Sequence, residues 1–259
     1  MRNLLITLSY DGAHYHGWQI QENALTVQEV FQSALARVTG GGEDIKACSR
    51  TDTGVHAREF AVSLQTESRI PPERLPAALN RYLPPDIAVK SCREVPEGFH
   101  ARYSCLGKEY CYEIWNHPVR DPFLHNRALH YWYPIDENLL NEAAAHYTGP
   151  HDFSSFCTLD SREIGDFTRT VTAARVERRG DMVVFTVSAD GFLYNMVRIM
   201  TGTLLRVQQG KLSPQDIPAV IGAKDRRAAG PTAPACGLYL NRVFYDLPGS
   251  RLSAQREGF

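Results

Sequence analysis

Leu4, Ile6, Leu8 and Tyr10 alternate along the start of the chain before Asp11-Gly12, the period-two pattern of a strand closed by a turn. The period then changes. Val27, Val30, Phe31, Ala34, Leu35 and Val38 recur at three- and four-residue spacing, which predicts a helix begun by Thr26, with Glu29 completing a capping box, and ended by Gly40-Gly41-Gly42. Gly17-Trp18-Gln19 falls in the loop between. Strand patterns at 45–47 and 60–65 flank the segment Cys48 to His56, and 72–82 reads as a helix with proline in its first turn. Strands follow at 87–94 and 101–115. In the last, Tyr110, Tyr112 and Ile114 share one face and Cys111, Glu113 and Trp115 the other.

A second cycle begins near Asn116-His117-Pro118. Asp136 caps a helix running to about Tyr147 and ended by Gly149-Pro150, a loop covers 151–156, and 170–178 with 182–188 form a hairpin about Arg179-Gly180-Asp181. Asp190-Gly191 leads into a helix whose apolar stripe is Leu193, Met196, Val197, Met200, Leu204 and Val207. Arg198 falls nearly opposite that stripe, with Gly202 one turn on, so it points away from the core of its own half. Such an arginine is a solvated side chain unless its face forms the wall of a site. A helix beginning at Ser213-Pro214 and a strand over 237–246 close the pattern.

A chain of 259 residues is long enough for one large core or two ordinary ones, and the repeated cycle favours two halves, 1–103 and 104–250, with a tail over 251–259. Apolar residues at 43% and charged residues at 22% leave no room for extended disorder. Met1-Arg2-Asn3 enters the first strand without the apolar run of a secretory signal, so a cytoplasmic location is expected. No stretch approaches the roughly 20 apolar residues of a membrane span. The six cysteines include no Cys-x-x-Cys pair, and His14-Tyr15-His16 lacks further ligands at metal spacing, so no metal is expected. A net charge of −1 does not announce a nucleic-acid partner. Arg50, Arg58, Arg102, Arg162, Arg169, Arg198, Arg226 and Arg227 are nevertheless numerous enough for folding to assemble a basic cleft.

The segment with most chemistry is Cys48-Ser49-Arg50-Thr51-Asp52-Thr53-Gly54-Val55-His56. Asp52 stands two residues after an arginine and two before a glycine, on a run that favours a turn, so its carboxylate is presented rather than buried. One reading is a surface Arg-Asp pair without function. Another takes Asp52-Thr53-Gly54 as half of an aspartic-protease dyad, but there is no second Asp-Thr-Gly, and the adjacent arginine opposes the sharing of one proton.

Several collinear segments widen the picture: Tyr10-Asp11-Gly12, Gly17-Trp18-Gln19-Ile20-Gln21, Arg50 to Ala57, Lys108-Glu109-Tyr110-Cys111-Tyr112, and His151 to Phe156. Phe192 to Arg198, Ala229 to Pro234 and Gly237-Leu238-Tyr239-Leu240 follow in order. Together they resemble the TruA family of tRNA pseudouridine synthases over nearly the whole chain. The resemblance implies an α+β fold, two α/β halves with antiparallel sheets facing a central basic cleft, assembled as a homodimer. It implies cofactor-free isomerisation of uridine at positions 38, 39 and/or 40 in the anticodon stem-loop of tRNA. By it, Asp52 matches the nucleophile, Arg198 the arginine paired with it, and Tyr110 the aromatic packed on the target base. Arg50 matches an arginine of the active-site loop, and Leu240 helps line the uracil pocket. Such roles make chemical sense: a carboxylate can trap the sugar carbon as its bond to N1 breaks, and a guanidinium keeps that carboxylate charged beside a stacked base. Ser49, where many relatives have glycine, and Arg58-Glu59-Phe60, which departs from the usual pattern, bear on the loop backbone and its RNA contacts. The rival to catalysis is a silent tRNA-binding relative; Asp52, Tyr110 and Arg198 are all present, so it has no missing residue in its favour.

Overall fold

The computed structural model describes residues 1–158 and 165–248. Arg162, among the dispersed arginines, and the tail over 251–259 lie outside the described residues. Along the chain come β1 (Arg2–Tyr10), α1 (Val27–Thr39), β2 (Lys46–Ala47), β3 (His56–Thr66), α2 (Leu75–Asn80) and β4 (Ile87–Val95). Next are β5 (Cys105–Trp115), β6 (Leu129–His130), α3 (Glu137–Ala145), β7 (Gly149–Asp152), β8 (Thr168–Arg179), β9 (Met182–Ala189), α4 (Met196–Gln208), α5 (Ile217–Gly222) and β10 (Leu238–Tyr245). The fold is α+β, with mainly antiparallel pairing, as expected.

Two compact units divide these elements. Unit 1 is Met1–Leu106 with the described residues from Tyr239 onward, and unit 2 is Gly107–Leu238. The last strand thus groups with the first unit, whereas the sequence pattern places it in the second half, 104–250.

In unit 1, β1 lies antiparallel between β3 and β4, with Ile6 opposite Val62 on one side and Cys92 on the other. Along the other side of β3, β2 pairs antiparallel at Ser63 and Val62, and β10 pairs parallel at His56 and Ala57. Helix α1 forms over the expected stretch, with the Thr26 half of the expected capping box, its hydroxyl accepting from Glu29 N–H at 3.4 Å, and Gly40 ends it at φ +99°. Trp18 ties this helix to the sheet, its ring 6.4 Å from Phe31 and 4.2 Å from Phe60. Large aromatic rings at such separations supply much of the burial that holds a layer in place.

In unit 2 the antiparallel order is β5-β9-β8-β7, with β6 parallel to β5. Asp136 caps α3 by accepting from the N–H groups of Asn138 and Leu139. Tyr147, Phe153, Phe156 and Phe185 are fully buried, with Phe156 5.4 Å from Tyr147 and 5.9 Å from Phe153.

Local departures have physical causes. The helix expected over 72–82 is a 3₁₀ turn, Pro72–Arg74, followed by α2, because Pro76 has no N–H to donate back. β3 begins at His56, four residues before the expected start, where β10 gives it a partner. Ala101–Ser104 form a turn before β5, and the expected 151–156 loop begins inside β7. The face of α4 opposite its stripe is not solvated. Residues 229–234 cover it, with Gly230 N–H bonded to Thr203 Oγ1 at 2.8 Å and Gly202 directly beneath the Pro231 carbonyl.

Candidate active site

Asp52 lies on the connection between β2 and β3. Cys48 N–H bonds Ala61 O at 2.8 Å, and Val55 N–H returns to Asp52 O at 3.1 Å, closing a tight turn in which Gly54 has φ +76°. Glycine adopts that backbone conformation at little cost. The turn is also held from the segment after β1: Trp18 N–H bonds Thr51 O at 3.1 Å and Gly54 N–H bonds Tyr15 O at 3.2 Å. Thr51 and Val55 are buried while Asp52 between them is half-buried, so the residue stands on a fixed base and is neither sealed in the core nor fully exposed.

Arg50 is exposed on the same connection. Leu240 is fully buried on β10 opposite Ala57, and its neighbour Tyr239 pairs with His56. The Tyr239 ring has His56 stacked at 4.6 Å and the Arg58 guanidinium carbon at 4.4 Å, an arrangement that uses the negative face of the ring. His56 is buried. Its Nδ1 accepts from Gly12 N–H at 3.0 Å, so the 3.0 Å approach of Asp11 Oδ1 to the same nitrogen becomes an ion pair only when the imidazole is protonated.

Tyr110, in unit 2, pairs with Val187 across the sheet and is buried, with the Phe192 ring standing edge-on at 5.0 Å. Arg198 occupies the first turn of α4. Its Nε donates to Ala233 O at 2.7 Å and its Nη1 to Asn195 Oδ1 at 2.8 Å. Ala233 N–H bonds back to Arg198 O at 3.1 Å, which ties the covering segment to the same residue. Asn195 caps the helix at φ +62°, a region asparagine tolerates, and its amide donates to Thr158 Oγ1 at 3.2 Å. A planar guanidinium held at two donors keeps a set direction. Beside it, Tyr112 donates to Pro234 O at 2.7 Å; burial pushes its phenol strongly up, Cys236 adds to the shift, and Arg198 opposes it.

Arg50, Asp52 and Leu240 therefore belong to unit 1, and Tyr110 and Arg198 to unit 2. Nothing in the sequence pattern assigns a role to Asn195, to the Ala233 carbonyl or to Phe192. An asparagine directly before an apolar helical run was the available signal for a helix start, and asparagine tolerates the left-handed backbone that Asn195 adopts. Among the described residues, no group of three or more His, Cys, Asp or Glu side chains converges as a metal site would, and no helix is long and apolar enough to cross a membrane.

Comparison with known proteins bears on the whole chain. A family model described as tRNA pseudouridine synthase matches residues 6–104 and 143–246. The tRNA pseudouridine synthase A of Moorella thermoacetica is 48% identical over 244 residues, covering 93% of this chain and 99% of the relative. That of Ruminiclostridium cellulolyticum is 44% identical over 246 residues, covering 95% and 100%, and that of Thermoanaerobacter sp. is 44% identical over 245 residues, covering 95% and 100%. The family match takes in both the turn that carries Asp52 and the helix that carries Arg198, and full-length relatives align from end to end; the chain belongs to the TruA family of tRNA pseudouridine synthases.

Proposed function

We propose that this tRNA pseudouridine synthase isomerises uridine at positions 38, 39 and/or 40 of the anticodon stem-loop, with Asp52 as the nucleophile. Arg198 pairs with the Asp52 carboxylate, Tyr110 packs on the target base, Arg50 contacts the RNA beside the turn, and Leu240 backs the uracil pocket. The enzyme acts in the cytoplasm as a homodimer, with no cofactor or metal.

The target nucleotide leaves its stack at a cost of a few kcal/mol, offset by phosphate contacts and by packing in the pocket. The Asp52 carboxylate adds to C1′ as the bond to N1 breaks, or takes a proton from the sugar to reach the same separation of base and ribose. The freed uracil turns so that C5 meets C1′; as the new C–C bond forms the Asp52 carboxylate leaves C1′, or in the other path returns its proton to the sugar, and C5 loses its hydrogen as a proton while N1 gains one. Nothing is oxidised or reduced. Water must be kept from the sugar throughout, which is the task of the aromatic and aliphatic walls.

The observation that carries this reading is the turn itself: a half-buried aspartate in a turn with buried Thr51 and Val55 at its ends, its backbone hydrogen-bonded on one side to Trp18 and on the other to Tyr15. The test is tritium release from tRNA labelled at uridine C5, with wild type and Asp52→Ala compared in the absence of metal. Release by wild type alone, with tRNA affinity within a few fold for the variant, is expected because many phosphate contacts remain when one side chain is lost. Tight binding without release by the wild type would indicate a silent tRNA-binding protein.

A further inference from the structure

Tyr10-Asp11-Gly12 and Gly17-Trp18 take no part in the reaction described above, yet they close on the turn that carries it. The Tyr10 hydroxyl lies 2.8 Å from Thr51 Oγ1, and both residues are buried. The Tyr10 ring is fixed between Trp18, stacked at 6.3 Å, and Phe60, tilted at 5.5 Å. Two glycines then permit a backbone approach that no other residue allows. A Cβ at Gly12 would sit 2.0 Å from Val55 O, and one at Gly17, which has φ +80°, would sit 2.3 Å from Thr51 O. With the hydrogen bonds from Trp18 N–H to Thr51 O and from Gly54 N–H to Tyr15 O, contacts from residues 10–18 reach both neighbours of the segment 52–54.

We propose that Tyr10 is a positioning residue for catalysis: through the Thr51 hydroxyl it sets where the adjacent Asp52 carboxylate stands. The inference rests on the reading of Asp52 as nucleophile. The backbone contacts from Gly12, Tyr15, Gly17 and Trp18 hold the path of the turn without the Tyr10 hydroxyl. The hydroxyl adds a constraint on the side-chain end of Thr51, one residue from the reacting carboxylate. Attack on a sugar carbon tolerates little error, since a misplacement of about 1 Å costs on the order of 100-fold in rate. Binding of tRNA, spread over many phosphate contacts, does not depend on that constraint.

The experiment measures kcat and KM by tritium release, tRNA affinity by filter binding and the thermal midpoint, for the full chain and for Tyr10→Phe, Thr51→Val, Thr51→Ser, Tyr10→Phe/Thr51→Val and Asp52→Ala. Tyr10→Phe and Thr51→Val are each expected to lower kcat by about 10- to 100-fold, with KM and affinity within about threefold of wild type. The double variant should be no worse than the poorer single, because both remove one shared interaction. Thr51→Ser, which keeps the hydroxyl, should retain kcat within a few fold. Wild-type kcat in Tyr10→Phe overturns the proposal, and so does a loss of kcat that only follows a loss of folded protein. Asp52→Ala separates the two levels: turnover by that variant removes the nucleophile reading, whereas its inactivity beside fully active Tyr10→Phe and Thr51→Val removes only the positioning role.

Discussion

Replacing Gly202 by alanine sets two effects of opposite sign against each other. In a helix interior alanine is favoured over glycine by about 1 kcal/mol, so propensity alone predicts a more stable protein. The surroundings predict the reverse. A Cβ at position 202 would lie 1.8 Å from Pro231 O and 2.9 Å from Pro231 C, both backbone atoms with no rotamer to yield. Close C···O contacts in proteins sit at about 3.3 Å or more, so the covering segment must retreat by about 1.5 Å. A shift of that size breaks the 2.8 Å bond from Gly230 N–H to Thr203 Oγ1 and strains the 2.7 Å bond from Arg198 Nε to Ala233 O. Overpacking at about 1–3 kcal/mol and a buried unsatisfied donor at about 1–3 kcal/mol, less the propensity gain, leave a net loss near 3 kcal/mol. Urea denaturation of wild type and Gly202→Ala measures it directly. Tritium release at a temperature where both remain folded should also fall, because Arg198 loses an anchor. A variant with a midpoint equal to or above that of the wild type would refute the argument, since it would mean that residues 229–234 do not rest on α4.

Other expectations concern ordinary parts of the fold. Asp136→Ala removes the acceptor for the N–H groups of Asn138 and Leu139, and should cost about 1 kcal/mol in urea denaturation with unchanged kcat. Burial pushes the Cys92 thiol up to about 12, with Arg2 partly opposing, so in the folded protein its thiolate fraction at pH 8 is roughly a thousandfold below that of an ordinary thiol. Peptide mapping after brief alkylation should find Cys92 spared in the native state and modified in urea. Because its folded value lies above the unfolded one, the contribution of Cys92 to stability is present below about pH 9 and declines toward pH 12.

Elements specified by neighbouring residues were legible in the sequence. Thr26, the stripe of α1 and Gly40 lie within one short stretch, and the observed helix ends where those signals set it. Elements that depend on distant partners were less so. His56 to Glu59 look too polar for a strand, and they become one because Tyr239 and Leu240 pair beside them. The helical wheel of α4 correctly separated Arg198 from the apolar stripe, yet a wheel contains only its own helix and carries no trace of residues 229–234 lying across the other side. The Asp52 turn was legible as a turn because Asp, Thr and Gly have local backbone preferences. The guanidinium expected to serve it lies nearly 150 positions later in the chain, a distance over which local pattern is silent; the family resemblance supplied that link.

The pairing of β10 with β3 gives synthesis an order of events. Unit 2 is one uninterrupted run, Gly107–Leu238, whereas unit 1 needs Tyr239 and Leu240 from the end of the chain to pair with His56 and Ala57. On a ribosome that adds about 5–20 residues per second, the unit begun first must wait for the other to be made before its last strand arrives. During that wait the amides at the start of β3, next to the turn of the proposed nucleophile, lack their native partner strand, and an unpaired strand edge invites pairing with other chains. A nascent chain halted before β10 thus carries an open strand edge at His56 and Ala57, directly beside a turn that residues 15–18 and Ala61 already hold.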